Sequence, residues 1–255
     1  LAYILDGKWQ VKTVAELPFV HRFDVLVTPE KNYLIACTLK SGHEYKEDWT
    51  HPGKVFIAEL PEDLLAEDAR LDLTVLAEGL TKNHGYYRCY ENGRPFSLIS
   101  AENGVFKISP PNPGQAAWKL EKLLDEACSD GTLIDLDGDG LPELLTFAPF
   151  HGDILRVWRL VDGKYELDYA NPEPVEFLHA IWSGQINHKP TILLGNRKGR
   201  RELLAWDHEA GKYHFQLLDS DRGPANVTYF EEDGKRLIVA TNRETNEVAM
   251  YVLED

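Results

Sequence analysis

Cysteine pairs are missing from this sequence. Its 255 residues hold three cysteines, Cys37, Cys89 and Cys128, in separate stretches and without CxxC spacing. That excludes a zinc ribbon or a disulfide framework and leaves three buried free thiols as the expectation. Long apolar runs are missing too. No stretch reaches the ~18 residues that span a bilayer, and the opening LAYILDGKWQ lacks a basic segment ahead of an apolar core. The expected location is therefore cytoplasmic, with no membrane partner. Positive charge is scarce: 27 Lys and Arg stand against 42 Asp and Glu, for a net charge of −15. Phosphate recognition needs a basic stripe, so nucleic acid is not an expected partner. There is no P-loop, dinucleotide fingerprint, G-x-S-x-G elbow or H-E-x-x-H.

What fills the chain is short alternating stretches separated by Gly, Asp, Asn and Pro turns, the pattern of all-β architecture. One segment, 116–130 (AAWKLEKLLDEACSD), is compatible with an amphipathic helix but occupies the place of an outer strand. Five stretches align as second strands: NYLIACTL, PFSLISA, PELLTFAPF, PTILLGNR and RLIVATNR. Repeats of roughly 45–60 residues with about four strands each predict a single domain over 1–255, a five-bladed β-propeller of four-stranded antiparallel blades. The N-terminal LAYILDGKWQVKTVAEL resembles a third-to-fourth-strand hairpin of the other repeats. It is expected to supply the closing strand of the last blade, which would remove an exposed sheet edge.

Five ligand-type residues recur near the start of the first strand of each repeat: His21, His84, Asp130, His179 and Asn226. They are separated by 63, 46, 49 and 47 residues (84−21, 130−84, 179−130, 226−179). Imidazoles with a carboxylate suit one divalent transition metal (Zn, Mn, Fe or Ni) on the propeller axis, with coordination positions open to substrate. Loops expected to face that site carry His43, Tyr45, Trp49, His51 and His151. The histidines and Tyr45 are the acid/base candidates, and Trp49 is a ring for stacking on a sugar. Asn196-Arg197 and Asn242-Arg243 echo each other in adjacent repeats and are expected to bind an anionic group, the competing reading being salt bridges to Glu202 or Glu247. Asp135, Asp137, Asp139 and Glu143 form D-x-D-x-D-G-x-x-E, oxygen ligands around a glycine turn that suit a structural Ca²⁺. A tight hairpin needing only Asp and Gly geometry explains the same residues.

That Asp-rich stretch, DLDGDGLPEL, resembles the FG-GAP/VCBS type of propeller repeat. The wider pattern VHRFDVLV…LKSG…DW…HPGKVFIAELPED resembles propeller domains of carbohydrate lyases and dehydratases such as aldos-2-ulose dehydratase. The resemblance implies a metal-dependent lyase, dehydratase or isomerase acting on a sugar or sugar acid. A non-catalytic carbohydrate- or protein-binding propeller with a structural metal is the first alternative. A glycoside hydrolase is the second, ranked last because hydrolysis needs two carboxylates flanking the bond and the ring supplies only Asp130.

Overall fold

Two-residue turns organise the chain. Asp6-Gly7, Asn92-Gly93, Asp162-Gly163, Asn187-His188, Ala210-Gly211 and Asp233-Gly234 all hold both residues at positive φ. This is the turn whose twist matches that of paired strands, and it favours Asn, Asp and Gly because they tolerate that region. In the computed structural model, which describes residues 1–254, these turns join strands into antiparallel meanders.

Contacts divide the chain into two compact units, Leu1–Glu121 and Lys122–Asp255. The first begins with a hairpin of β1 (Ala2–Leu5) and β2 (Lys8–Val11). One sheet follows with β3 (Val20–Val27), β4 (Asn32–Thr38), β5 (Gly53–Glu59) and β6 (Thr74–Leu80). Another follows with β7 (Gly85–Glu91), β8 (Arg94–Ala101), β9 (Gly104–Ser109) and β10 (Lys119–Leu124), the last crossing the unit boundary. The second unit holds three sheets. These are β11 (Asp130–Ile134), β12 (Glu143–Ala148), β13 (Ile154–Val161) and β14 (Lys164–Ala170); β15 (Leu178–Ile186), β16 (Lys189–Asn196), β17 (Leu203–Glu209) and β18 (Lys212–Asp219); and β19 (Pro224–Glu232), β20 (Lys235–Asn242) and β21 (Glu247–Leu253). The ambiguous stretch is strand, as β10. A 3-10 turn at Arg243–Thr245 is the only helical element among the described residues.

The last sheet has three strands, and the N-terminal segment forms a sheet of its own. The expected closing strand is therefore corrected. The Asp6-Gly7 turn folds the segment back on itself from Ala2↔Val11 to Leu5↔Lys8, so the inward-facing half of its backbone groups pairs within the hairpin.

Second strands are buried on both faces, as in β12 (every residue) and β16 (Thr191–Asn196), which explains their continuous apolar runs. In the first unit Leu26, Ile35, Cys37, Val55, Ile99 and Ile108 form the core. In the second, Leu145, Phe147, Val157, Ile192 and Trp206 do so, with a further cluster around Leu193, Leu203 and Ile238. All three cysteines are free and buried, and burial pushes the Cys37 and Cys128 thiols up to about 12. Side-chain bonds stitch neighbouring sheets within each unit. Asp24 on β3 accepts from Tyr86 (2.9 Å) and Arg88 on β7, and Thr132 on β11 bonds Ser183 on β15 at 2.6 Å.

Candidate functional site

The start of each inner strand is shaped by its register against the second strand. Arg22 pairs with Cys37, Ala180 with Gly195 and Asn226 with Thr241, and each is preceded by an extra, unpaired residue: His21, His179 and Ala225. Such bulges re-aim a side chain at a strand end. In the other two sheets Gly85 pairs with Ser100 and Asp130 with Phe147, so the equivalent preceding residues are His84 and Ser129. The three histidines thus share one phase. Asp130 and Asn226 fall one residue later than the sequence spacing implied, and in a strand one residue changes the face. Asp130 is buried, whereas Asn226 is exposed.

In the first unit the His21 and His84 rings lie 4.4 Å apart, tilted by 40°, and His84 is 1% exposed. The neighbouring loop turns on two buried charges. Lys40 Nζ donates to the carbonyls of Lys46 (2.8 Å) and Asp48 (3.1 Å) and stands 4.4 Å over the Trp49 ring, covering one indole face. Asp48 accepts from the Glu44 amide (2.9 Å) and from the Thr50 amide (2.9 Å) and hydroxyl (2.6 Å). His43, Tyr45 and His51 are exposed on this loop, with His43 set edge-on to Phe19 at 5.4 Å.

The Thr50 hydroxyl, then the Thr50 and Glu44 amides, hold the Asp48 carboxyl well below the usual carboxylate range. A depressed folded pKa stabilises the loop above the unfolded value of about 3.9 and ceases to do so as pH falls through the folded one. Trp49 fluorescence is therefore expected to stay constant from neutral pH to about 4 and to change only in stronger acid, whereas Asp48→Ala produces the changed spectrum at neutral pH.

The second unit gathers a larger set of functional groups. The turn after β12 carries His151 at φ 50. Its ring stacks on Phe150 (4.0 Å), meets Phe177 edge-on (4.5 Å) and lies 5.8 Å from the His179 ring. The ligand nitrogens of His151 and His179 are within 4.8 Å of each other. His179 Nδ1 is 2.7 Å from the Ala225 carbonyl. A carbonyl only accepts, so Nδ1 carries the proton and the neutral ring presents the Nε2 lone pair. That is the tautomer a metal ligand or general base requires.

Beside the imidazoles, the Arg197 guanidinium lies 4.6 Å over the Phe177 ring and donates through Nε (3.0 Å) and Nη2 (2.8 Å) to Glu244. Arg197, with Arg243 and Arg201 nearby, holds the Glu244 carboxyl below its ordinary value. The partner is thus Glu244, not the Glu202 or Glu247 anticipated from sequence proximity. Asn196 and Asn242, 2% and 1% exposed, act as loop ties. Asn196 Nδ2 donates to the Glu176 and Lys198 carbonyls while its Oδ1 accepts from the Glu202 amide, and Asn242 Nδ2 donates to Glu247 at 2.9 Å. Arg243 is exposed.

A cleft of about 260 Å³ opens here, lined by Pro149, His151, Gly152, Asp153, Glu176, Phe177 and Lys198. Sequence reasoning missed Asp153, Glu176, Phe177 and Lys198. The available signal was proximity: Phe177 stands two residues before His179, and Lys198 follows Arg197.

At Asp135–Glu143 the loop consumes its own carboxylates. Asp135 accepts from the Gly138 (2.8 Å) and Gly140 (3.0 Å) amides, Asp139 from Leu141 (2.7 Å) and Glu143 from Leu136 (2.8 Å), while Asp137 pairs with Arg159 at 2.8 Å. Asp135, Asp137 and Glu143 approach within 4.8 Å; Asp139 is not in that group. Burial raises the Glu143 pKa.

No family model and no curated protein matches this sequence, and no helix among the described residues is long and apolar enough to cross a membrane. Among solved structures the chain is similar to a GH43 β-1,3-galactosidase with galactodeoxynojirimycin (TM-score 0.47, 11% identity, 98% of this chain and 92% of that one). It is also similar to Trypanosoma rangeli sialidase in complex with sialic acid (TM-score 0.52, 10% identity, 96% of this chain). It spans 47% of the sialidase chain, about half its length. At such identity the likeness to the sialidase is one of fold, and the fold is an all-β, five-bladed β-propeller.

Proposed function

We propose that the protein is a carbohydrate-active enzyme that takes an acidic sugar in the cleft lined by His151, next to His179. The observation that carries this reading is the His179 Nδ1–H bond to Ala225. It orients the His179 ring beside the His151 imidazole, whose cleft also carries Phe177 and Lys198. The exposed carbon face of a sugar ring suits Phe177, and Lys198 on the cleft wall suits its carboxylate. The similarly folded sialidase was solved with sialic acid, itself an acidic sugar.

In the leading reaction one imidazole removes the proton on the carbon next to the carboxylate. The carbon–oxygen bond one atom further on then breaks, a carbon–carbon double bond forms, and the departing oxygen takes a proton from the second imidazole. Where the His151 and His179 nitrogens instead held a divalent transition metal, it would supply Lewis acidity to the substrate carboxylate, and these two imidazoles would then hold the metal rather than move the proton. Hydrolysis is the second reading, favoured by one observation: the cleft offers two carboxylates, Asp153 and Glu176, in place of the single ring acid anticipated from sequence.

Incubation with oligogalacturonate and with sialyllactose separates the readings. Ultraviolet absorbance of an unsaturated product, reduced at least about a hundredfold by His179→Gln, is the expected result for elimination; loss with a chelator identifies the metal requirement. New reducing ends without unsaturation, abolished by Glu176→Gln or Asp153→Asn, would establish hydrolysis. Absence of both turnover and binding with each of the two sugars would overturn the proposal.

A further inference from the structure

At the other end of the first unit lies a feature unconnected with the imidazoles. The connection from β9 to β10, residues 110–118 (PPNPGQAAW), places Gln115 and Trp118 between two clefts of about 450 and 430 Å³, and both residues line both clefts. The Trp118 indole is set by an edge contact with Tyr33 at 5.2 Å and by packing against the first unit's core. It stands as a ridge with a hollow on either side. Glu91, at the end of β7, lines the larger hollow. His84 precedes the start of that strand, so about 20 Å of extended chain separates them.

The chemistry of the hollows narrows the ligand. Their ionic groups are mutually compensated: Lys107 with Glu91 (2.8 Å), Arg94 with Glu30 (3.1 Å), Lys119 with Glu121 (3.0 Å) and Lys31 with Glu59 (2.6 Å). Asp72 alone has no cation partner among the described residues. A phosphate, a carboxylate or a polyanion therefore finds no surplus positive charge. An apolar ligand is equally ill matched, because the larger hollow is rimmed by the carboxamides of Asn92, Asn112 and Gln115. Carboxamides donate and accept side by side, which is what vicinal hydroxyls need, and an indole face suits the C–H face of a pyranose.

We infer that the Trp118 ridge is a binding site for a neutral oligosaccharide, with a sugar ring in each hollow. The inference does not rest on the acidic-sugar cleft of the second unit.

Calorimetric titration with maltohexaose, cellohexaose and xylohexaose tests this. At least one is expected to bind with millimolar or tighter affinity. The surface double variant Asn112→Ala/Gln115→Ala should weaken it at least tenfold. Trp118→Phe, which keeps a ring against Tyr33, should weaken it several-fold. His151→Gly should leave it unchanged, so failure of the proposed enzymatic site and failure of this one give different results. The inference is overturned if none of the three sugars binds or if binding is indifferent to both ridge variants.

Discussion

His151→Gly is expected to lower turnover of the acidic-sugar substrate by about 10²–10⁴-fold, the range for loss of a positioned acid or base, while leaving stability within about 1 kcal/mol of the parent. The two effects separate because of the backbone. His151 occupies φ 50, a left-handed conformation that costs a residue with a Cβ roughly 1–2 kcal/mol and costs glycine little. Removing the imidazole forfeits ring contacts with Phe150 and Phe177, which offsets that relief. A residue serving only the fold would give the opposite pattern, with lost stability and retained activity.

The adjacent Gly152 tightens the argument. A Cβ there would lie 2.2 Å from the Ala148 carbonyl oxygen, and this backbone cannot yield as a side chain would. The Gly152 amide bonds Pro149 O (2.8 Å), and its carbonyl accepts from Leu178 (3.0 Å), the residue before His179. The turn holding His151 is thus tied directly to the strand holding His179. Turnover and melting temperature of the purified His151→Gly variant settle the matter; unchanged turnover removes His151 from the mechanism.

The strands and their grouping were legible because both depend on local signals: alternation, apolar second strands and Asn-Gly or Asp-Gly turns. The common phase of the three histidines was legible for the same reason. The offset of Asp130 and Asn226 was not, because a bulge adds one residue that spacing alone cannot assign. It falls on Ala225 in the last sheet, so Asn226 looked equivalent to His179 when its neighbour is. The Arg197 partner was hidden by distance along the chain: Glu244 lies 47 residues away, and proximity pointed to Glu202. The fate of the N-terminal segment depended on whether its strands pair with each other or with a remote edge, and a hairpin pattern in sequence fits both. The Asp-rich loop reads as a cation site and as a self-bonded turn in the same residues. Its carboxylates bond its own amides, while Asp135, Asp137 and Glu143 also converge, so both readings fit the same loop.

The largest stability effect is expected at Trp206, and its size depends on what replaces the indole. Trp206 is fully buried among Leu155, Val157, Ile192 and Leu194, with Tyr213 (4.9 Å) and a stacked Phe215 (5.3 Å) against it. Trp206→Ala leaves a cavity that the surrounding strands cannot close, at a cost of about 3–5 kcal/mol. Its Nε1–H is buried without a hydrogen-bond partner among the described residues, and such a group carries a desolvation penalty of about 1–3 kcal/mol. Trp206→Phe removes that penalty while keeping most of the ring, so the lost volume and the relieved donor nearly cancel. Trp158 provides the contrast. Its Nε1–H donates to Thr146 Oγ1 at 3.0 Å inside the protein, and Trp158→Phe costs this bond and leaves the buried hydroxyl only its contact with the Cys128 thiol, so it should destabilise by about 1–3 kcal/mol. Urea unfolding of the three variants should rank them Trp206→Phe, Trp158→Phe, Trp206→Ala in order of increasing loss. If Trp206→Phe proves as costly as Trp158→Phe, the indole nitrogen of Trp206 is hydrogen-bonded in solution, to a buried water for want of any protein acceptor.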